Sequence, residues 1–210
     1  MGSPVPTSDF QPGYFDALFG KYPNQRWAET KRELLVHILA DKKTAAIVLE
    51  GAKLWAPALG DKLTLRLVSS PDIADVRITF AKTVLGDSGL GESQVTFEVA
   101  GDDPSVGNGV LTGAQMTLRA NLPIVLLRLA AAHEFGHVFG LVGRSPDMPT
   151  HSPNAQDLMA SIVRLRSTLT QRDINTLAQL YSLPRPAFRA LRKKRFTIRT
   201  RLTKQGCKRR

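Results

Sequence analysis

The chain has 210 residues, 42% of them hydrophobic, and a formal net charge of +11. That length suffices for one domain with a sizeable core, and the composition fits a soluble globular protein. The single cysteine, Cys207, excludes an intrachain disulfide and a cysteine-based metal cluster.

Residues 1–30 read as an irregular lead-in rich in Pro and Gly, and Met1 to Gln11 lacks the basic-then-apolar layout of a signal peptide. Glu33 to Leu39 is strand-like. Lys42 to Pro57 is expected to be helical, with Ala46, Leu49, Ala52, Lys53 and Ala56 spaced along one face, and Pro57 and Gly60 to stop it. Lys62 to Val68 alternates as a strand through Leu63, Leu65 and Leu67. Asp75 to Ala81 does so through Val76, Ile78 and Phe80. A turn-rich loop from Gly86 to Gly91 precedes a strand from Gln94 to Ala100. A second loop, Gly101 to Gly109, precedes a short strand from Gly113 to Arg119.

Pro123 opens the next helix, expected to run through Gly140. The apolar run Leu122 to Ala132 within it is broken by Arg128 and is too short to span a bilayer. Residues 141–169 are mostly irregular. Thr170 caps a last helix to about Ser182, with Asp173 as its capping-box partner. Strands mixed with an early helix predict an α/β domain.

The densest chemical signal is His133-Glu134-Phe135-Gly136-His137, followed by Gly140. Residues four apart share a helix face, so two imidazoles can grip one Zn²⁺ while the adjacent glutamate reaches the metal-bound water. A third protein ligand must come from beyond the helix. The chain has only two other histidines, His37 and His151. His37 sits in an alternating strand and reads as an ordinary packed or surface residue, and Trp27 and Trp55 read as core.

Here the chain resembles the matrixin family of the metzincin clan of zinc peptidases. The family's third histidine would fall at Gly143, but the segment His151-Ser152-Pro153-Asn154-Ala155-Gln156-Asp157-Leu158-Met159 is similar to the matrixin stretch that joins the third ligand to the Met-turn. An insertion at about 141–150 accounts for the offset. Ile73 to Phe80 looks like a matrixin strand, and Leu169 to Tyr181 looks like the family's C-terminal helix.

The resemblance covers roughly residues 33–183 and implies a catalytic domain over residues 31–183. It implies a metzincin-like twisted mixed sheet with an early helix, an active-site helix and a C-terminal helix. It further implies one catalytic Zn²⁺ on His133, His137 and His151, with Glu134 as general base and Met159 as a structural Met-turn. The activity implied is hydrolysis of peptide bonds in an extended substrate lying along Gln94 to Ala100.

Rivals to His151 as third ligand are Asp147 and Asp157. Aligning Arg144 with the ligand position instead leaves a two-histidine site, and with it a non-catalytic metzincin-like binding module. Asp72, Asp75, Asp102 and Asp103 raise the question of Ca²⁺, but solvated loop carboxylates explain them. The compartment is unknown, with an extracellular setting suggested only by the resemblance.

Twelve of the 29 Lys and Arg lie from Pro184 onward, where there is no acid; the remaining 17 face all 18 Asp and Glu in residues 1–183. Residues 184–210 are therefore a separate basic tail. The expectation is a disordered, solvated extension, with nucleic acid or an anionic surface as the partner it suits.

Overall fold

A computed structural model describes residues 13–19, 25–85, 89–100, 109–143, 150–164, 167–183 and 193–204. The elements in chain order are α1 (Phe15–Phe19), β1 (Gln25–Trp27), β2 (Glu33–Ile38), α2 (Lys42–Lys53), α3 (Ala56–Leu59), β3 (Thr64–Leu67) and β4 (Val76–Ala81). Then come β5 (Gly89–Ala100), β6 (Gly109–Arg119), α4 (Ile124–Val138), β7 (Ile162–Val163), α5 (Gln171–Ser182) and β8 (Lys193–Lys204). The strands form one mixed sheet in the order β3-β2-β4-β6-β5-β8-β7, with β1 paired to the start of β6. β5 runs antiparallel to both β6 and β8, and the other pairs are parallel. The expected α/β class, with its early, central and C-terminal helices, is the one observed. Among the described residues no helix is long and apolar enough to cross a membrane.

Helix α4 is buried along almost its whole length from Leu126 to Val138. It contacts α2 as well as β5, β6 and β8, as a helix apolar on all sides must. The approach of α2 depends on Gly51, where a Cβ would lie 2.7 Å from the Arg128 carbonyl and 2.8 Å from the Ala132 nitrogen. This contact sets the buried face of α2 at Ala45, Val48, Gly51 and Ala52. The face expected from sequence, through Ala46 and Leu49, is displaced by one residue, because adjacent apolar pairs (Ala45-Ala46, Val48-Leu49) leave the helical period ambiguous and the glycine decides it. Asp41 caps α2 by accepting from the Lys43 and Thr44 backbone at 2.9 and 3.0 Å.

Three further expectations are corrected. The lead-in contributes α1 and β1, and Phe15, Leu18 and Phe19 are buried in the core. β5 begins at Gly89, five residues before the expected Gln94, since its glycines pair as readily as its apolar residues do. The basic tail, expected to be a solvated extension, supplies β8. Its composition is basic but its pattern has period two. Phe196, Ile198, Thr200 and Leu202 face inward, while Arg195, Thr197, Arg199 and Arg201 are exposed. The inner set meets Phe97, Val95, Ser93 and Gly91, and the outer set meets Glu98, Thr96, Gln94 and Glu92. Apolar residues thus meet apolar ones, and arginines meet acids or an amide.

Candidate metal centre

The end of α4 shows how sequence becomes site geometry. Gly140 has φ 114°, a conformation in which a side chain is strained. It allows Gly140 N–H to reach the His137 carbonyl and Leu141 N–H to reach the Gly136 carbonyl, both at 2.9 Å. This is a Schellman turn. It swings the Leu141 carbonyl back to accept from His137 Nδ1 at 2.7 Å. His133 Nδ1 donates to the Leu158 carbonyl, also at 2.7 Å.

A carbonyl can only accept, so both Nδ1 atoms carry the proton. Both Nε2 atoms then hold bare lone pairs, yet they face each other at 3.1 Å. Two neutral imidazoles have no hydrogen bond to offer there; a shared cation would satisfy both. His151 joins them, its ring centroid 5.3 Å from that of His133 and 5.0 Å from that of His137. One nitrogen from each of the three rings lies within 4.8 Å of the others, and this trio could hold a metal ion. His151 Nε2 is buried without a hydrogen-bond partner, as a nitrogen free to coordinate a metal would be.

Burial sets the protonation of the cluster. It lowers His133 to about 3, with His151 adding to the effect. It lowers His151 to about 4, against the pull of the Arg201 backbone. His137 is driven well below the ordinary value by burial and then by His133 and His151. All three are held in the neutral form that binds metal. Burial raises Glu134 to about 8, opposed by its hydrogen bond from Ser93. Ser93 Oγ donates to Glu134 Oε2 at 2.6 Å, while Glu134 Oε1 is buried with no partner.

Met159 is fully buried under α4. Gly136 leaves it room: a Cβ there would collide with Met159 Sδ and lie 2.8 Å from the Trp55 ring. Trp55 is itself tied to α4 through the Ala132 carbonyl at 2.8 Å, and Trp27 through the Val138 carbonyl at 2.8 Å.

The loop from Thr150 to Ala160 is held from outside. Asp173, in the capping box of α5, also accepts from Leu158 N at 2.9 Å and from Tyr14 Oη at 2.7 Å. Asp157 accepts from Ser152 Oγ at 2.6 Å and pairs with Arg172 at 2.6 Å. Asp157 is therefore occupied and stands apart from the histidine trio. Arg144 and Asp147 lie outside the described residues, as do Asp102 and Asp103. His37 is away from the cluster, with Nδ1 3.2 Å from the Val68 carbonyl. Asp75 is bound by Lys31 at 2.7 Å and by the Leu35 N–H at 2.8 Å.

Two groups at the site carry no motif that marks them in the sequence. Ser93 carries no motif, although its inward position on β5 could have placed it near α4. The second task of Asp173, fastening the loop, has no sequence signal beyond the capping box.

No protein-family model matches this chain, and no curated protein matches it. Among solved structures, two of myroilysin are similar at 16% identity. One aligns over 75% of this chain and 82% of its own with a TM-score of 0.49. The other aligns over 86% and 98%, with a TM-score of 0.48.

Proposed function

We propose that the protein is a zinc-dependent metalloendopeptidase of the metzincin type, matrixin-like in its third-ligand and Met-turn segment. The observation that carries this reading is the meeting of three neutral imidazoles around opposed Nε2 lone pairs, beside a buried carboxyl oxygen with no partner.

His133, His137 and His151 would hold the ion, and their neutral nitrogen donors suit zinc. The carbonyls of Leu158 and Leu141 fix the tautomer and aim of the helical pair, as outer partners do in metal sites. Bound Zn²⁺ would supply an acidified water and a Lewis acid for the scissile carbonyl. Glu134 takes the water's proton on Oε1 and later releases it to the leaving amine, while Ser93 holds Oε2 still. Met159 packs beneath the site as a floor and binds nothing.

Zinc-loaded protein should cleave an unfolded protein substrate. Chelator should stop this and added zinc restore it. Glu134→Gln should keep the zinc and lose the cleavage. A zinc-loaded sample that cleaves nothing under any condition refutes the catalytic reading. Failure to bind zinc at all points instead to a binding module on the same scaffold.

A further inference from the structure

An extended substrate needs a free strand edge beside the catalytic groups. The edge expected for it, Gln94 to Ala100 on β5, is taken. β8 pairs with β5 in antiparallel register from Gly89–Thr203 to Ala100–Lys193. The match is specific on both faces. Phe196 stacks on Phe97 with ring centroids 5.7 Å apart. Ile198 and Leu202 are buried. Arg195 meets Glu98 at 3.5 Å, and Arg199 meets the Gln94 amide.

β8 also reaches the reactive groups. Thr200 Oγ1 donates to the Ser93 carbonyl at 3.2 Å, and the Ser93 hydroxyl holds Glu134. Leu202 pairs with Gly91, whose absent Cβ would lie 2.9 Å from Glu134 Oε1. With β8 in place, His133, Glu134 and His137 have no exposed surface.

We propose that β8 is an intramolecular occupant of the substrate edge, so that the chain's own C-terminal strand holds the enzyme at a low activity that rises when it leaves β5. This rests on the peptidase reading above. The hold is of a kind that can be released. Beyond β5, β8 pairs only with the two residues of β7 among the described residues, and its outer face is joined by exposed ionic and polar contacts that contribute little each.

Two full-length variants test the idea. In the release variant, Ile198→Asp buries a charge against Val95, while Arg195→Glu and Arg201→Glu set acids opposite Glu98 and Glu92. In the lock variant, Thr96→Cys and Thr197→Cys place a disulfide across a directly opposed pair, with Cys207→Ser removing the native thiol. Amide exchange on the release variant should show β8 unprotected while α4 and β6 stay protected.

Zinc-loaded release variant should cleave an unfolded protein at least about tenfold faster than wild type, because the competent fraction rises. A synthetic peptide of residues 193–204 should inhibit it when added in trans. The lock variant should be inactive when oxidised and recover when reduced with a phosphine. If the release variant does not fold, the oxidised and reduced lock forms decide the question alone, and equal cleavage by the two overturns the proposal. Release of β8 with cleavage no faster than a measurable wild-type rate also overturns it, and leaves the peptidase reading standing. Absence of cleavage from every zinc-loaded form overturns both.

Discussion

The two halves of the candidate metal centre are built by opposite means. The helical half, His133, Glu134 and His137, is positioned by the i, i+4 spacing of α4 and by the Schellman turn at Gly140, all within nine residues of chain. The loop half, His151 with Leu158 and Met159, is positioned by residues far away. Asp173 on α5, Arg172 beside it and Tyr14 before α1 fasten the loop by hydrogen bonds spanning up to 159 positions. A helix carries its own geometry, whereas a loop borrows geometry from its anchors. The helical half should therefore tolerate damage elsewhere, and the loop half should fail when distant anchors are cut.

The sharpest break is Asp173→Ala. It strands the Leu158 and Thr170 amides and the Tyr14 hydroxyl in a buried setting, at an expected cost of about 3 kcal/mol or more in unfolding free energy. Urea denaturation measures the loss. Asp173→Asn should cost less and still lower zinc affinity about tenfold, because the loop that orients His133 through Leu158 loosens. Next comes Gly136→Ala, which drives a methyl into Met159 and should cost about 1–3 kcal/mol. Pairing it with Met159→Ala should recover part of that loss, a coupling that a double-mutant cycle reads directly. Arg172→Ala leaves the buried Asp157 carboxylate without its charged partner and should destabilise by about 2–3 kcal/mol, chiefly in the loop. Smallest is Ser93→Ala. It should leave stability within about 1 kcal/mol of wild type and zinc content unchanged, while slowing cleavage by about tenfold because Glu134 loses the group that holds it.

The same division explains what is legible in the sequence. The helical half is plain: its spacing is a local rule, and Gly136 and Gly140 stand where bulk or an ordinary φ would spoil the packing. The capping box at Thr170 and Asp173 is legible for the same reason. The face of α2 is not, because Gly51 is chosen for its fit against Arg128 and Ala132 on another helix. β8 is hidden because its charge masks its alternation. Its arginines are spaced to sit opposite Glu98, Gln94 and Glu92, partners that lie about a hundred residues upstream and are invisible in a local window. The roles of Ser93 and of Asp173 as a loop anchor exist only once α4, β5 and α5 have met.

A distant imidazole sharing an ion with the helical pair is the feature on which the peptidase proposal turns. A crystal structure of the zinc-loaded protein, with diffraction recorded on both sides of the zinc absorption edge, tests this directly. It should show one anomalous peak at about 2.0–2.1 Å from a ring nitrogen of each of His133, His137 and His151. A peak bound by the helical pair with His151 turned away, or no peak at these residues, would contradict it.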